Sequence, residues 1–551
     1  MTLGDLIIDV IKKLEVEHVF GVPGDYNLRF LDFIVKESKL SWIGNCNELN
    51  ASYAADGYAR EKGIGVLVTT SGVGELSAAN GIAGSYAHNV PVLHIVGYPN
   101  SKVIQQDIPV HHTLANFQKN SFLESFKSIC GATTILTETN YLEEIQRVVL
   151  NMLITKKPSY LGVPTDLIDM EISQTVEDIS FYRQRGGDSE IVAKVGDEII
   201  ERFLKAKKPV IFLGINVARF GWREKMTKIL QKTQAKFATT LMGKSIINET
   251  SIAEPNYLGI YAGDYSTQGM VELMQSSDCI ISIGTVETDL NSGGFSEDGI
   301  DFEHVMTLRP KSVKVGKKLY AGISVDMLLD YLLENMSSND KTDIDFSIDK
   351  TTVDIDKYKN EKLNQKEFWQ IVAQEIIKEG DIVVAEAGSA LFGLVQQNLP
   401  SKIDFVSQIL WASIGYTLPS AIGSAIASPK RRVLLFIGDG SIQLTAQELS
   451  LIARYELNIT VFIINNNGYT IERAIHGKEQ PYNDIASWKY QDLAKSLGIK
   501  NTMGVKTFSD LVKNLDKINK NGAKIVELFF DVFDLPPLLK QVSDKLGAAN
   551  Q

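Results

Sequence analysis

Between Arg431 and Glu472 the chain reads RRVLLFIGDGSIQLTAQELSLIARYELNITVFIINNNGYTIE, and this stretch restricts the fold more than any other. Val433–Ile437 is an apolar, β-rich run that breaks at once into Gly438-Asp439-Gly440-Ser441. Leu444, Leu449 and Ile452 follow at near-helical spacing, and a second β-rich run, Ile459–Ile464, ends in Asn465-Asn466-Asn467-Gly468. Strand, helix and strand in this order predict parallel neighbouring strands joined by a right-handed crossover. Asp439 and Asn466 then stand just past the carboxyl ends of adjacent strands, where open α/β sheets bind ligands. Taken singly, each half is an ordinary Asp-Gly or Asn-Gly turn. Two unrelated turns do not explain a 27-residue separation that returns both to one sheet edge.

The loop has a specific chemistry. Asp439 supplies a hard anionic oxygen and Asn466 a neutral carbonyl oxygen, and such donors suit Mg2+ held jointly by protein and phosphate. The amides of Gly440 and Ser441 open a helix, whose amino end favours a phosphate. Gly438-Asp439-Gly440 followed by Asn465-Asn466 resembles the diphosphate and metal motif of thiamine-diphosphate enzymes. The continuation Gly468-Tyr-Thr-Ile-Glu472-Arg-Ala-Ile-His476-Gly477 resembles a narrower family, the 2-oxo acid decarboxylases of pyruvate, indolepyruvate and branched-chain type. Matching motifs run from Asp25 to Leu546, nearly the whole chain.

A chain of 551 residues is too long for one core, and about three domains are expected. The net charge of −11 with dispersed basic residues argues against nucleic acid or an anionic membrane surface as partner. Cys46, Cys130 and Cys279 are few and scattered, which fits a reducing cytoplasm without disulfides or a zinc site. Leu3, Leu6, Ile7, Val10, Ile11 and Leu14 form a helical stripe, but Asp5, Asp9, Lys12 and Lys13 interrupt the apolar core a signal peptide needs. No apolar run reaches membrane length.

The expected fold is α/β, with three domains that each carry a mostly parallel sheet flanked by helices. By the resemblance, residues 1–180 form a pyrimidine-binding domain and 190–340 a middle Rossmann-like scaffold domain. Residues 355–551 form a diphosphate-binding domain with a C-terminal closing helix, and the first and third domains carry the thiamine-diphosphate-binding fold. In the first domain, strands are expected over His18–Gly21, from Trp42, over Gly65–Thr70 and over Pro91–Val96, with helices over Ala51–Arg60 and Glu75–Ala87. Loops after these strands present Asp25, Glu48 and the tight turn Ser71–Gly74. Pro209–Leu213 and Cys279–Ile283 are strand candidates in the middle domain, whose loops lack a paired carboxylate. The charged stretch Glu177–Glu190 and the polar stretch Asn335–Asn360 are expected linkers. No internal repeat is visible, yet the first and third domains are candidates for a common topology.

What the resemblance implies for the site is definite. Thiamine diphosphate and Mg2+ are the expected cofactors, with Asp439, Asn466 and Gly468 at the metal. Glu48, in Asn-Glu-Leu-Asn-Ala-Ser-Tyr, matches the glutamate that meets the aminopyrimidine ring and lets the cofactor act as its own base. Ile414 matches the apolar wedge beneath the bent cofactor, and Ala412 stands where glycine is usual and offers its carbonyl. Ser413, Gly388 and Ser389 (usually threonine) join Gly440, Ser441, Tyr469, Thr470 and Ile471 around the cofactor. Asp25, His111, His112 and Glu472 match the proton-handling set that acts after loss of CO2, when the enamine is protonated and the aldehyde expelled. The implied reaction is non-oxidative decarboxylation of a 2-oxo acid through the thiamine ylide. In such enzymes Glu48 and the histidines come from one subunit and the diphosphate site from its neighbour, so a homodimer is the minimal active unit and a homotetramer is expected.

Ala387, Leu391, Ile471, Ile475, Phe295, Val542 and Leu546 are the expected substrate-facing side chains. Aliphatic walls discriminate weakly between small acids, so a broad range is expected, from pyruvate to branched-chain, phenyl- and indolepyruvate. Position 391 lacks the tryptophan that restricts some bacterial pyruvate enzymes, and no cysteine stands near Gly214–Arg219, where fungal pyruvate decarboxylases carry a regulatory one. An acetolactate-synthase-like carboligase is the alternative, but such enzymes lack the His111-His112 pair and the Gly468–Glu472 motif.

Overall fold

The amino-terminal stripe forms the helix Leu3–Lys13, in a computed structural model that describes residues 1–116, 120–181, 188–250, 256–348 and 352–549. Thr2 caps it: its side chain accepts the Asp5 N–H while the Asp5 carboxylate accepts the Thr2 N–H. Leu3, Leu6, Ile7, Val10 and Ile11 are buried beneath it. The strands that follow are β1 (His18–Gly21), β2 (Ser41–Gly44), β3 (Gly65–Thr70), β4 (Val92–Tyr98), β5 (Ala132–Ile135) and β6 (Ser159–Pro164). They lie in the order β2-β1-β3-β4-β6-β5, all parallel. Every residue of β3, β4 and β6 is buried, as befits central strands covered by helices on both faces.

The middle sheet holds β7 (Pro209–Leu213), β8 (Lys236–Thr239), β9 (Tyr257–Ile260), β10 (Cys279–Ile283), β11 (Val305–Arg309), β12 (Ser312–Val315) and β13 (Lys318–Ala321). Its order is β13-β12-β11-β10-β7-β8-β9; the β11-β12-β13 meander is antiparallel and the rest is parallel. The third sheet contains β14 (Ile382–Ala385), β15 (Asp404–Val406), β16 (Val433–Gly438), β17 (Ile459–Asn465), β18 (Thr502–Val505) and β19 (Lys524–Phe529). Its parallel order, β15-β14-β16-β17-β19-β18, repeats that of the first sheet strand for strand. Two domains without visible sequence similarity thus share one layout.

The expected strands and helices appear, with two differences near β16. The helical stretch after Gly438 is broken into single turns, Asp439–Ile442, Ala446–Glu448 and Leu449–Arg454. Leu444, read at near-helical spacing with Leu449 and Ile452, falls in the break and is 45% exposed. The backbone leaves the helical conformation at Thr445, φ −136°, whose hydroxyl donates to the Gly415 carbonyl at 2.8 Å. Residues 182–187 of the first expected linker and 349–351 of the second lie outside the described residues. No helix among the described residues is long and apolar enough to cross a membrane.

The first and third sheets are joined through two helices, Glu48–Lys62 and Thr417–Ala427, whose backbones nearly touch. A Cβ on Gly57 would lie 2.1 Å from the Ser420 carbonyl oxygen, and one on Gly423 would lie 1.9 Å from that of Ala54. Around this seam Asp56 accepts the Tyr416 hydroxyl at 2.5 Å, the Arg60 Nε–H at 2.6 Å and the Ser85 hydroxyl at 2.7 Å. Gly423→Ala must push the helices apart and is expected to lower unfolding stability by about 2–3 kcal/mol, read by denaturant titration. An unchanged midpoint would show that the seam yields freely.

Candidate active site

The carboxyl edge of the third sheet carries the motif that opened the sequence. Gly438 at the end of β16 pairs with Ile464 of β17, so Asp439 and Asn466 emerge side by side. Asp439 is buried, and its carboxylate accepts three backbone N–H groups: Gly440 at 2.8 Å, Asn466 at 3.1 Å and Gly468 at 3.2 Å. These bonds hold the two loops together. Gly468 takes φ 133°, a conformation open to glycine alone. Between the loops lies a cavity of about 50 Å3 whose walls include Ala387, Gly388, Ser389, Gly440, Ser441, Asn466, Gly468, Tyr469, Thr470 and Ile471. Every one of these expected contacts is therefore on one cleft.

The donor set fits a phosphate-bound cation. Burial outweighs these N–H bonds and pushes the Asp439 carboxyl up to about 6. Gly388, at φ 141°, has open space where a Cβ would stand, and the hydroxyls of Ser389, Ser441 and Thr470 belong to cleft residues. Thiamine diphosphate with Mg2+ matches this combination of hard oxygens, hydroxyls and exposed backbone.

The neighbouring loop Gln408–Gly415 carries Ala412, Ser413 and Ile414. Ala412 sits at φ 52°, and Ser413 bonds Tyr53 at 2.7 Å. Two residues the sequence did not single out hold this loop. Glu386, fully enclosed and raised to about 7 by burial, accepts the Gly415 N–H and the Thr417 hydroxyl. His88, from the first domain, accepts the N–H groups of Leu410 and Trp411 at Nε2. Burial, with Arg60 and Arg219 nearby, drives its pKa far down and keeps it a neutral acceptor.

In the first domain, Asp25, His111 and His112 converge. His111 Nε2 is 2.5 Å from one Asp25 oxygen and His112 Nδ1 is 3.8 Å from the other, while Tyr26 stacks on His111. Glu48 opens its helix, capped by Asn47, and is half-buried, with burial raising its pKa. None of these four residues lines the third-domain cavity of the same chain. Glu472, on the helix Thr470–Ile475, is exposed, and no hydrogen bond or ion pair connects it to the Asp25 group among the described residues.

The expected substrate-facing residues divide. Ala387 and Ile471 line the cleft. Leu391 and Val542 are each only 1% exposed and belong to one apolar cluster, against which Ile471 and Leu546 pack. The C-terminal helix Pro537–Ala549 lies so close to Ile475 that a Cβ on Gly547 would stand 2.8 Å from the Ile475 carbonyl oxygen. Phe295 lies apart, in a middle-domain loop, at φ 60° and 68% exposed.

Three family descriptions match the chain. They are the thiamine pyrophosphate enzyme N-terminal TPP binding domain over residues 1–121, the central domain over 197–328 and the C-terminal TPP binding domain over 389–528. Pyruvate decarboxylase isozyme 3 of Saccharomyces cerevisiae is 36% identical, covering 100% of this chain and 99% of its own. An alpha-keto-acid decarboxylase of Mycobacterium avium is 35% identical over 98% of this chain and 96% of its own. The solved structure of a thiamine diphosphate-dependent 4-hydroxybenzoylformate decarboxylase from Rhodococcus jostii RHA1 has the same fold, with a TM-score of 0.79 at 17% identity, covering 96% of this chain and 99% of that one.

Proposed function

The chain belongs to the thiamine-diphosphate-dependent 2-oxo acid decarboxylases, and on that premise we propose which of its residues carry the reaction and which acids it takes. Asp439, Asn466 and the Gly468 carbonyl would hold Mg2+; Gly388, Ser389, Gly440, Ser441, Tyr469 and Thr470 would surround the diphosphate, with Ile471 beside it. Ala412, Ser413 and Ile414 would support the bent ring system. When bound, thiamine diphosphate supplies a nucleophilic carbon and an electron sink for the bond to CO2.

The protein's own groups do the rest. Glu48, its pKa raised by burial, holds a proton at the pyrimidine nitrogen. Decarboxylation exchanges CO2 for a proton at the former 2-oxo carbon, and Asp25 and Glu472 are the acids for that exchange. His111 and His112, on either side of the Asp25 carboxylate, relay protons to it. The single observation that carries this assignment is the separation of the two halves: the cofactor cleft is lined by third-domain residues, while Glu48 and the Asp25 group stand elsewhere in the chain.

That separation supports a homodimer as the minimal active unit, with a homotetramer as the expected assembly. Val73, Leu76 and Asn80 share one face of the helix Val73–Ala87. Val73 is 58% exposed, and Asn80 accepts the indole N–H of the 43%-exposed Trp411 at 2.8 Å. A face of this kind, continued by exposed Leu410, is suited to a second copy. Free thiols at Cys46, Cys130 and Cys279 support the cytoplasm as its location.

The substrates are small 2-oxo acids, taken broadly. Ala387 is small, and Ile471 bounds the cleft with aliphatic surface, so chain length and branching change binding by methylene increments only. An alcohol-dehydrogenase-coupled panel of pyruvate, branched-chain, phenyl- and indolepyruvate is expected to give kcat/KM values within about 100-fold of one another. A preference for one acid beyond about 1,000-fold would overturn the broad range.

A further inference from the structure

The turn Ser71–Gly74, between β3 and the helix Val73–Ala87, packs against His112 and Glu48, and Thr70 just before it packs against Gly24 beside Asp25. Gly72 takes φ 69° and packs against His112, where a Cβ would lie 2.1 Å from the carbonyl oxygen. A Cβ on Gly74 would lie 3.1 Å from Glu48 Oε1. Gly24, next to Asp25, packs against Thr70 just before the same turn, with 2.6 Å between its Cβ position and the threonine Cβ.

One side chain ties this turn. Glu75 is fully buried; its Oε1 accepts the Gly72 N–H at 2.7 Å and the Ser71 hydroxyl at 3.0 Å. Its Oε2 accepts the Tyr160 hydroxyl at 2.6 Å, and Tyr160 lies 2.7 Å from the Tyr98 hydroxyl. Ser71, Glu75, Tyr160 and Tyr98 thus form a hydrogen-bonded chain of four side chains beneath the turn. We infer that Glu75 is a positioning residue for decarboxylation: by fixing the Ser71–Gly74 turn it sets where His112, Glu48 and the Asp25 loop stand relative to one another.

Capping the helix would need only the Gly72 bond, and many polar residues supply that at less cost of burial. Here a carboxyl is enclosed with no lysine or arginine bonded to Glu75, Tyr160 or Tyr98 among the described residues. Its titratable neighbours are Tyr160, Tyr98 beyond it and, packed on Tyr160, His94, while Glu48 approaches the adjacent Gly74. Burial raises the Glu75 carboxyl to about 7. Both of its forms keep the Gly72 bond, because the protonated acid can donate from Oε2 to Tyr160 while Oε1 goes on accepting. A glutamine, with the same acceptor and no charge, should therefore replace it.

The inference rests on the roles proposed for Glu48, His112 and Asp25, and its test separates the two. Glu75→Leu keeps the volume and removes the acceptor. It is expected to lower kcat about 100-fold with KM within about threefold, the loss typical of reacting groups displaced by about an ångström. Glu75→Gln is expected to stay within about fivefold of the parent kcat. Amide exchange in the cofactor-free protein should rise at residues 71–74 and 111–113 in the leucine variant and stay at the parent rate in the glutamine variant. Tyr160→Phe removes the outer bond to Glu75 without touching the cap and is expected to lower kcat about fivefold. Parent kcat in both Glu75→Leu and Tyr160→Phe, or equal losses in Glu75→Gln and Glu75→Leu, would overturn the inference. Full turnover by Glu48→Gln would instead remove the site assignment on which it rests.

Discussion

Glu48→Gln is expected to lower aldehyde formation by about 100- to 10,000-fold while leaving the fold and the diphosphate cleft intact. The amide cannot hold and return a proton at the pyrimidine nitrogen, yet it is nearly isosteric and stays at the first turn of the same helix. Turnover in the coupled assay, together with an unchanged melting profile, gives the result. A Glu48→Gln enzyme with full activity would sink the assignment. The same variant probes the shared site. Mixing Glu48→Gln and Asp439→Asn chains after dissociation and reassociation should restore about a quarter of parent activity, because half the dimers are hybrids and each has one intact site. No recovery in verified hybrids would place the two halves of each site in a single chain.

Asp439→Asn is the second large effect. Its amide nitrogen must face the Gly440, Asn466 or Gly468 N–H, where only an acceptor fits, and the anionic charge is gone. Retention of thiamine diphosphate and Mg2+, followed by fluorescence quenching or calorimetry, is expected to weaken at least about 100-fold. In the parent, the Asp439 carboxyl stands at about 6, against about 3.8 in an unfolded chain. The cofactor-free fold thus favours the neutral acid. Asp439 contributes most to its stability below about pH 4, and that contribution is lost as the pH rises to about 6. The cation acts in the opposite sense. It binds the ionised form, so Mg2+ affinity should fall by up to tenfold per unit below about pH 6 and level off above it. A flat affinity from pH 5 to 8 would show that Asp439 is not a ligand.

The parts of this site written into neighbouring residues were the parts legible in the sequence. Asp439 and Asn466 each follow a strand of unmistakable apolar pattern, and parallel pairing of those strands brings them together. The same local logic failed at Leu444, because near-helical spacing does not reveal that the backbone leaves the helix at Thr445. Glu386, His88 and Glu75 escaped notice for another reason. The partners of His88 and Glu386 lie far along the chain, as does the Tyr160 that Glu75 bonds beyond its local cap, so no short motif records these ties. The fold class was legible from alternating strands and helices, whereas the identical order of the first and third sheets emerges only from pairing.

The glycine seam between Glu48–Lys62 and Thr417–Ala427 has a mechanical consequence. Where two backbones meet with no side chains between them, there is no soft layer to shear, and the two sheets they carry behave as one rivet-joined block. Breathing that admits an acid or releases an aldehyde is then diverted to pieces outside this block, above all the terminal helix resting on Ile475 and Leu391.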